Sequence, residues 1–213
     1  LAGIVVNKPL IILLNKSDMA DPCETAKWVK KLSGDGITAL PMDCRTGKGV
    51  NAFPSAVKEI LKDKIEQNKE KGMVGKPLRL MVVGIPNVGK SSFINRLAKS
   101  GKAKVEDRPG VTRSNQWFKV EGGLELLDTP GVLWPKFDDP TVRIRLACTG
   151  AVKDTVMDIE TLAVNFIDEM KKRYAHLLEQ RYKFTLDKNQ DSYDILCEIG
   201  RKRGMVIRGG EID

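Results

Sequence analysis

The sequence has one histidine among 213 residues, and this removes the commonest general base from consideration. His176 lies in the predicted helix around Arg173-Tyr174-Ala175-His176-Leu177, where it reads as a surface or packing residue rather than a catalyst. The four cysteines (Cys23, Cys44, Cys148, Cys197) are scattered and form no C-x-x-C pair. That argues against a zinc site and a disulfide framework, and it fits a reducing cytosol. No run of about 18 apolar residues is present, so no membrane span is predicted. There is no secretory signal pattern, and the first residue is Leu1 rather than Met, as expected of a fragment. What remains is an ordinary soluble composition, 41% hydrophobic and 30% charged, in a chain long enough for one domain plus a smaller one. The net charge of +8 lies within residues 1–135, because residues 136–213 hold equal numbers of acidic and basic side chains. Residues 90–119 are the most basic stretch; such a surface suits nucleotide or nucleic acid, and charge alone does not decide between them.

The organising stretch is Gly84-Ile85-Pro86-Asn87-Val88-Gly89-Lys90-Ser91, which fits G-x-x-x-x-G-K-[ST]. Leu78 to Val83 before it reads as a short apolar strand, and Ser91 to Ala98 after it as a helix start, which is the setting the motif needs. Gly84 and Gly89 let the backbone wrap so that successive N–H groups face one anion, with the helix N-terminus behind them. The phosphate-binding set is Asn87, Val88, Gly89, Lys90, Ser91 and Ser92, with Gly131 to follow. Lys90 would reach the β- and γ-phosphates, and the Ser91 hydroxyl would be a ligand of Mg²⁺.

Upstream, Pro9 to Leu14 is a continuous apolar run, as in a strand buried on both faces of a parallel sheet. It leads into Asn15-Lys16-Ser17-Asp18, the N-K-x-D signature of guanine-nucleotide binding, at a strand's C-terminal end. The Asp18 carboxylate can accept from both N1–H and the N2 amino group of guanine, a donor pair that adenine lacks. Asn15 and Lys16 would brace the loop and cover the base. Taken alone, the four letters also suit an ordinary Asp before the helix begun by Asp21-Pro22. Asp21 to Ser33 reads as a helix and Ile37 to Met42 as a strand. Asp43-Cys44 then stands where guanine-nucleotide proteins place a loop whose backbone N–H meets guanine O6; a plain strand-to-helix loop is the alternative. Val50 to Asn68 reads as helical, and residues 67–72 as a polar linker.

Beyond the phosphate loop, Ala103 to Arg113 reads as switch I, with Thr112 a Mg²⁺ ligand and catalytic residue alongside Lys90 when a γ-phosphate is present; a surface loop with an ordinary Thr is the alternative. Trp117 to Val120 and Leu124 to Leu127 read as a hairpin around Gly122-Gly123. The second strand ends in Asp128-Thr129-Pro130-Gly131, a D-x-x-G signature. Asp128 would hold Mg²⁺ through water, and the Gly131 N–H would sense the γ-phosphate. The usual order of these motifs puts the phosphate loop first and N-K-x-D later. Here N-K-x-D and the closing loop come first, so the set is circularly permuted, which a parallel sheet of βα units can accept. The fold class expected is α/β: a P-loop GTPase domain with a parallel-rich sheet, residues 1–137, followed by a small all-α domain, residues 138–213. The permutation puts switch II directly before that second domain, to which nucleotide state could be passed.

These stretches resemble the circularly permuted GTPases of ribosome assembly, and within them the ribosome biogenesis GTPase A family. The matching residues are Asn15–Asp18, Gly84–Leu97, Asp107–Thr112, Leu126–Phe137 and Leu146–Asp154. The resemblance implies a cytoplasmic, monomeric GTPase that acts late in large-subunit assembly, with GTP/GDP and Mg²⁺ bound and a helical C-terminal domain that contacts ribosomal RNA. Neither a membrane nor DNA is expected as a partner. It also implies a K⁺ ion beside the phosphates at Asn87, and a catalytic His outside this chain. Val132 follows D-x-x-G where many GTPases carry a water-orienting Gln, so slow intrinsic hydrolysis is expected unless the ribosome activates it. A nucleotide-gated binding module with incidental turnover, or a small-subunit assembly GTPase, are the alternatives. In the C-terminal part Thr141–Ala147, Thr161–Leu178 and Tyr193–Arg203 read as helices. Their clusters Lys171-Lys172-Arg173 and Arg201-Lys202-Arg203 are either solvated faces or phosphate contacts.

Overall fold

In the computed structural model the described residues are 8–98, 116–131, 139–151 and 158–205. The chain divides into two compact units, Leu1–Leu133 and Trp134–Asp213. The boundary expected at 137/138 lies outside the described residues.

The first unit begins with β1 (Leu10–Leu14), α1 (Pro22–Leu32) and β2 (Ile37–Pro41), with β1 and β2 paired in parallel from Leu10↔Ile37 to Leu14↔Pro41. The Asp21 carboxylate starts α1 by accepting the N–H groups of Cys23 and Glu24, and Pro22 at the first position needs no partner there. After α2 (Phe53–Ile60) and α3 (Lys62–Glu70) come β3 (Leu78–Val82), α4 (Lys90–Ala98), β4 (Gln116–Val120) and β5 (Leu124–Asp128). The sheet order is β3-β5-β4, with β3 parallel to β5 and β4 antiparallel to it. One core holds both halves: Met42, Val50, Phe53 and Val57 from the first pack with Phe93, Ile94, Leu97, Leu124 and Leu126 from the second.

The stretch expected to be helical over 50–68 is so, as a 3-10 turn (Val50–Ala52) followed by α2 and α3, which are parted at Leu61. The reason is burial: α2 plants Phe53 and Val57 in the core, whereas the charged α3 buries no residue and has nothing to hold it in line. Helix α3 reaches Glu70, so much of the expected linker is helical.

The second unit contains α5 (Pro140–Cys148), α6 (Ile159–Arg173), α7 (Ala175–Tyr182) and α8 (Ser192–Lys202). Asp139, Asp158 and Asp191 each accept a backbone N–H at the start of α5, α6 and α8. The helix expected over 161–178 breaks at Tyr174. Ile167 and Leu178 share one core with Ile195 and Ile199, and a straight helix would hold the first two about 16 Å apart. No helix among the described residues is long and apolar enough to cross a membrane.

Candidate functional site

Strands β3 and β5 run in parallel and finish together, with Val82 opposite Asp128. Both the G-x-x-x-x-G-K-S loop and the D-T-P-G turn therefore leave the same sheet edge, at the strands' carboxyl ends where α/β folds hold ligands. The Thr129 hydroxyl donates to the Val82 carbonyl at 2.7 Å and fastens the second turn to the first strand. Within the loop Asn87 has φ 52° and Gly89 φ 102°, the left-handed turn that lets the chain double back into α4 at Lys90.

The charged members converge at the start of α4. Lys90 Nζ donates to the carbonyls of Gly84 and Ile85, each at 3.0 Å, which holds the ammonium inside the curve of the loop. Burial lowers its pKa from the ordinary value, opposed by the nearby charge of Asp128, so the site favours an anion that restores the ammonium's solvation. Ser91 Oγ donates to Asp128 Oδ2 at 2.8 Å. Two hard oxygen donors so placed fit a Mg²⁺ that takes its remaining ligands from water and substrate phosphate. Among the described residues no cluster of three His, Cys, Asp or Glu offers a protein cage. Gly131 comes so close to the loop that a Cβ there would stand 2.7 Å from Pro86 N and Cα and 3.0 Å from Lys90 Nζ.

The N-K-x-D segment is joined to this by one side chain. Asn15 Nδ2 donates to the Val88 carbonyl at 2.8 Å, while Asn15 Oδ1 accepts the Cys44 N–H at 3.1 Å. One amide therefore ties the phosphate loop, 73 positions along the chain from it, to the 43–49 loop. Gly89 is needed for the same contact, since a Cβ on it would lie 2.2 Å from Asn15 Nδ2. Lys16 adopts φ 60°, and the Ser17 N–H reaches the Met42 carbonyl at 3.0 Å, which turns Asp18 to the edge of the site.

Asp18 Oδ2 accepts from Arg45 Nη2 at 3.3 Å. Asp43, read as a residue beside guanine, turns its carboxylate back on its own loop: it accepts the Arg45 N–H at 2.8 Å and the Thr46 hydroxyl at 2.6 Å. These donors, the Thr46 hydroxyl foremost, hold its pKa below the usual value against the opposing effect of burial. Cys44 is buried, and burial pushes its thiol up to about 11, with Asp43 adding to the shift and Arg96 opposing it. Ser92 lies exposed on the first turn of α4. Thr112 and Val132 lie outside the described residues. Arg45, Arg96 and Thr129 were not singled out by the sequence. Thr129 stood inside a motif already read, whereas nothing in the letters around Arg96 points to the loop it meets.

A family model described as "50S ribosome-binding GTPase" matches residues 79–197. A protein named ribosome biogenesis GTPase A from Priestia megaterium is 48% identical over 212 residues, covering 99% of this chain and 73% of that protein. Its namesake from Bacillus pumilus is 45% identical over 210 residues, covering 99% and 74%. The solved GDP-bound structure of TM YlqF superposes with a TM-score of 0.57 at 24% identity, covering 95% of this chain and 72% of that one, which bears on the fold alone. The chain belongs to the ribosome biogenesis GTPase A family, GTP-hydrolysing ribosome-assembly enzymes with a circularly permuted P-loop fold.

Proposed function

We propose that this GTPase serves the large ribosomal subunit: it binds a pre-ribosome with GTP in place and leaves after ribosome-stimulated hydrolysis. The observation that carries the nucleotide half of this reading is the Asn15 amide, which joins the guanine-reading segment to the phosphate loop. Guanine is read by Asp18, with Asn15, Lys16 and Ser17 shaping its loop and Asp43 and Cys44 closing over the base. The phosphates lie along Asn87 to Ser92, where Lys90 lowers the cost of charge on the β- and γ-oxygens. Gly131 stands against Pro86 and Lys90, where its N–H can report on a γ-phosphate.

Ser91 and Thr112 would hold Mg²⁺ directly and Asp128 through water; the ion would neutralise phosphate charge there. The Asn87 side-chain oxygen would be the protein ligand for K⁺, and K⁺ should speed turnover relative to Na⁺. The attacking water is oriented by a group outside this chain, because Val132 cannot hydrogen-bond it. Hydrolysis is accordingly slow until the ribosome supplies or orders that group.

The helical unit is the element that meets ribosomal RNA, and the protein works as a cytoplasmic monomer. Support comes from a groove at the ends of α7 and α8 lined by Arg181, Tyr182, Lys183, Lys202 and Arg203, four cations beside one aromatic ring. Of the cluster expected at 171–173, Lys171 is committed elsewhere: its Nζ donates to the Gln190 carbonyl at 2.6 Å. Sedimentation with purified subunits tests the reading. A non-hydrolysable GTP analogue should carry the protein down with large but not small subunits, and GDP should leave it in the supernatant. Equal binding in both nucleotide states would refute the release step, and a preference for small subunits would refute the choice of partner.

A further inference from the structure

We propose that Arg96 is a positioning residue that locks the 43–49 loop, and so the guanine end of the site, onto the helix that grows out of the phosphate loop. The inference rests on the reading that this loop closes over guanine. Arg96 stands near the end of α4, about one and a half turns beyond Lys90 and Ser91. Its Nη2 donates to the Arg45 carbonyl at 2.9 Å. Its guanidinium also crowds Gly47, so closely that a Cβ there would come 2.9 Å from Nε, 3.0 Å from Nη2 and 3.1 Å from Cζ. Gly47 has φ 93°, a second reason for glycine at this point.

Three features separate this contact from an ordinary surface arginine. Arg96 Nε is buried and has no hydrogen-bond partner among the described residues, a position that a mobile guanidinium would leave for water. The loop it holds is a closed turn, with Asp43 N–H on the Lys48 carbonyl at 2.9 Å and Gly47 N–H on the Asp43 carbonyl at 2.8 Å, so fixing Arg45 and Gly47 fixes all of it. One turn earlier on the same face of α4, Phe93 meets Phe53 edge to face, with centroids 4.8 Å apart and planes at 88°. Helix α4 thus grips the closing segment at two places, one within the loop and one just after it. Its other end presents Lys90 and Ser91, and about 9 Å of rigid helix joins the two functions.

The planar fork of Arg is specific to the task. It donates to Arg45 while its Nε, Cζ and Nη2 together fill the space beside Gly47, whereas a lysine ammonium can do the first and not the second. The Asp18 carboxylate depends on the same loop, because Arg45 supplies both the carbonyl that Arg96 holds and the guanidinium that meets Asp18.

The test compares affinities for fluorescent GDP and fluorescent ADP in Mg²⁺ buffer, for the full-length protein and its Arg96→Met, Arg96→Lys and Asp18→Ala variants, with Tm recorded for each. ADP engages the phosphate loop without a fitting base, so loss of base positioning should weaken GDP and spare ADP. Arg96→Met should lower the GDP-over-ADP preference about tenfold, with ADP affinity within about twofold of the parent. Arg96→Lys should restore only part of that preference, and it supplies the readout if the Met variant does not fold. An unchanged preference in both Arg96 variants, whatever their Tm, would overturn the positioning role. Asp18→Ala keeps the two readings apart. If it removes the preference while the Arg96 variants retain it, only the role of Arg96 fails; if it too leaves the preference intact, the guanine reading fails and takes this proposal with it.

Discussion

Replacing Asn15 with Ala removes the one amide that serves two loops at once. Two half-buried hydrogen bonds disappear, at 2.8 Å to the Val88 carbonyl and 3.1 Å from the Cys44 N–H. Each contributes about 1 kcal/mol net, and a donor left unpaired away from water adds a penalty of about 1–3 kcal/mol. The Val88 carbonyl is only partly buried and can find water, so the penalty falls mainly on Cys44, and the total comes to roughly 3–5 kcal/mol. With a urea dependence of about 2 kcal/mol per molar, the unfolding midpoint should fall by about 1.5–2.5 M. GDP affinity should drop at least about tenfold, since both loops must then be ordered by the ligand. Asn15→Asp is the sharper variant. It keeps an acceptor for Cys44 but sets a carboxylate oxygen against the Val88 carbonyl, and should be at least as damaging as Ala. Urea unfolding by circular dichroism and GDP titration calorimetry measure both effects. An Ala variant with an unchanged midpoint and GDP affinity within twofold would refute the claim that this amide joins the site.

Gly131→Ala would place a Cβ 2.7 Å from Pro86 backbone atoms, a clash that no rotamer relieves. GTP turnover should collapse in a single-turnover assay while GDP affinity changes by less than about threefold, because GDP presents no γ-phosphate to this turn. Phe93→Ala removes a fully buried ring and its edge-to-face partner, and should cost about 3–5 kcal/mol in unfolding free energy. Asp43 carries a pH dependence. Its folded pKa is depressed below the ordinary 3.8, so its stabilisation is complete above that value and is lost as pH falls through the lower, folded one. The urea midpoint should therefore decline more steeply below about pH 4 in the parent than in Asp43→Asn, which should already be weaker at pH 6.

The nucleotide chemistry was legible because it depends on fixed letters at fixed spacing. Gly84 to Ser91, Asp128 to Gly131 and Asn15 to Asp18 raised the expectation of a phosphate cradle, a carboxylate beside it and a base reader, and the three stretches do meet, through Ser91 with Asp128 and Asn15 with Val88. Their permuted order could be read from position alone. The hairpin around Gly122-Gly123 was equally plain, since alternating strands flank a glycine pair. The long-range ties were not legible: nothing local to Arg96 says that Arg45 lies within 2.9 Å, and nothing near Asn15 names Val88 as its partner. The breaks at Leu61 and Tyr174 were hidden for a related reason. Helical periodicity continues through both positions, and only the placement of the cores, at Val57 and around Ile195, decides where each helix must turn. Asp43 shows the same limit at one residue: its place beside the closing loop was readable, but not that its carboxylate folds back on Thr46.

The most direct test of the account is GTP hydrolysis by the full-length protein in K⁺ buffer, alone and with purified large or small ribosomal subunits. The account predicts a rise of about tenfold or more with large subunits and none with small ones. Tight GTP binding with no stimulation by either subunit would contradict it, and would leave a module whose nucleotide sets ribosome affinity without driving release.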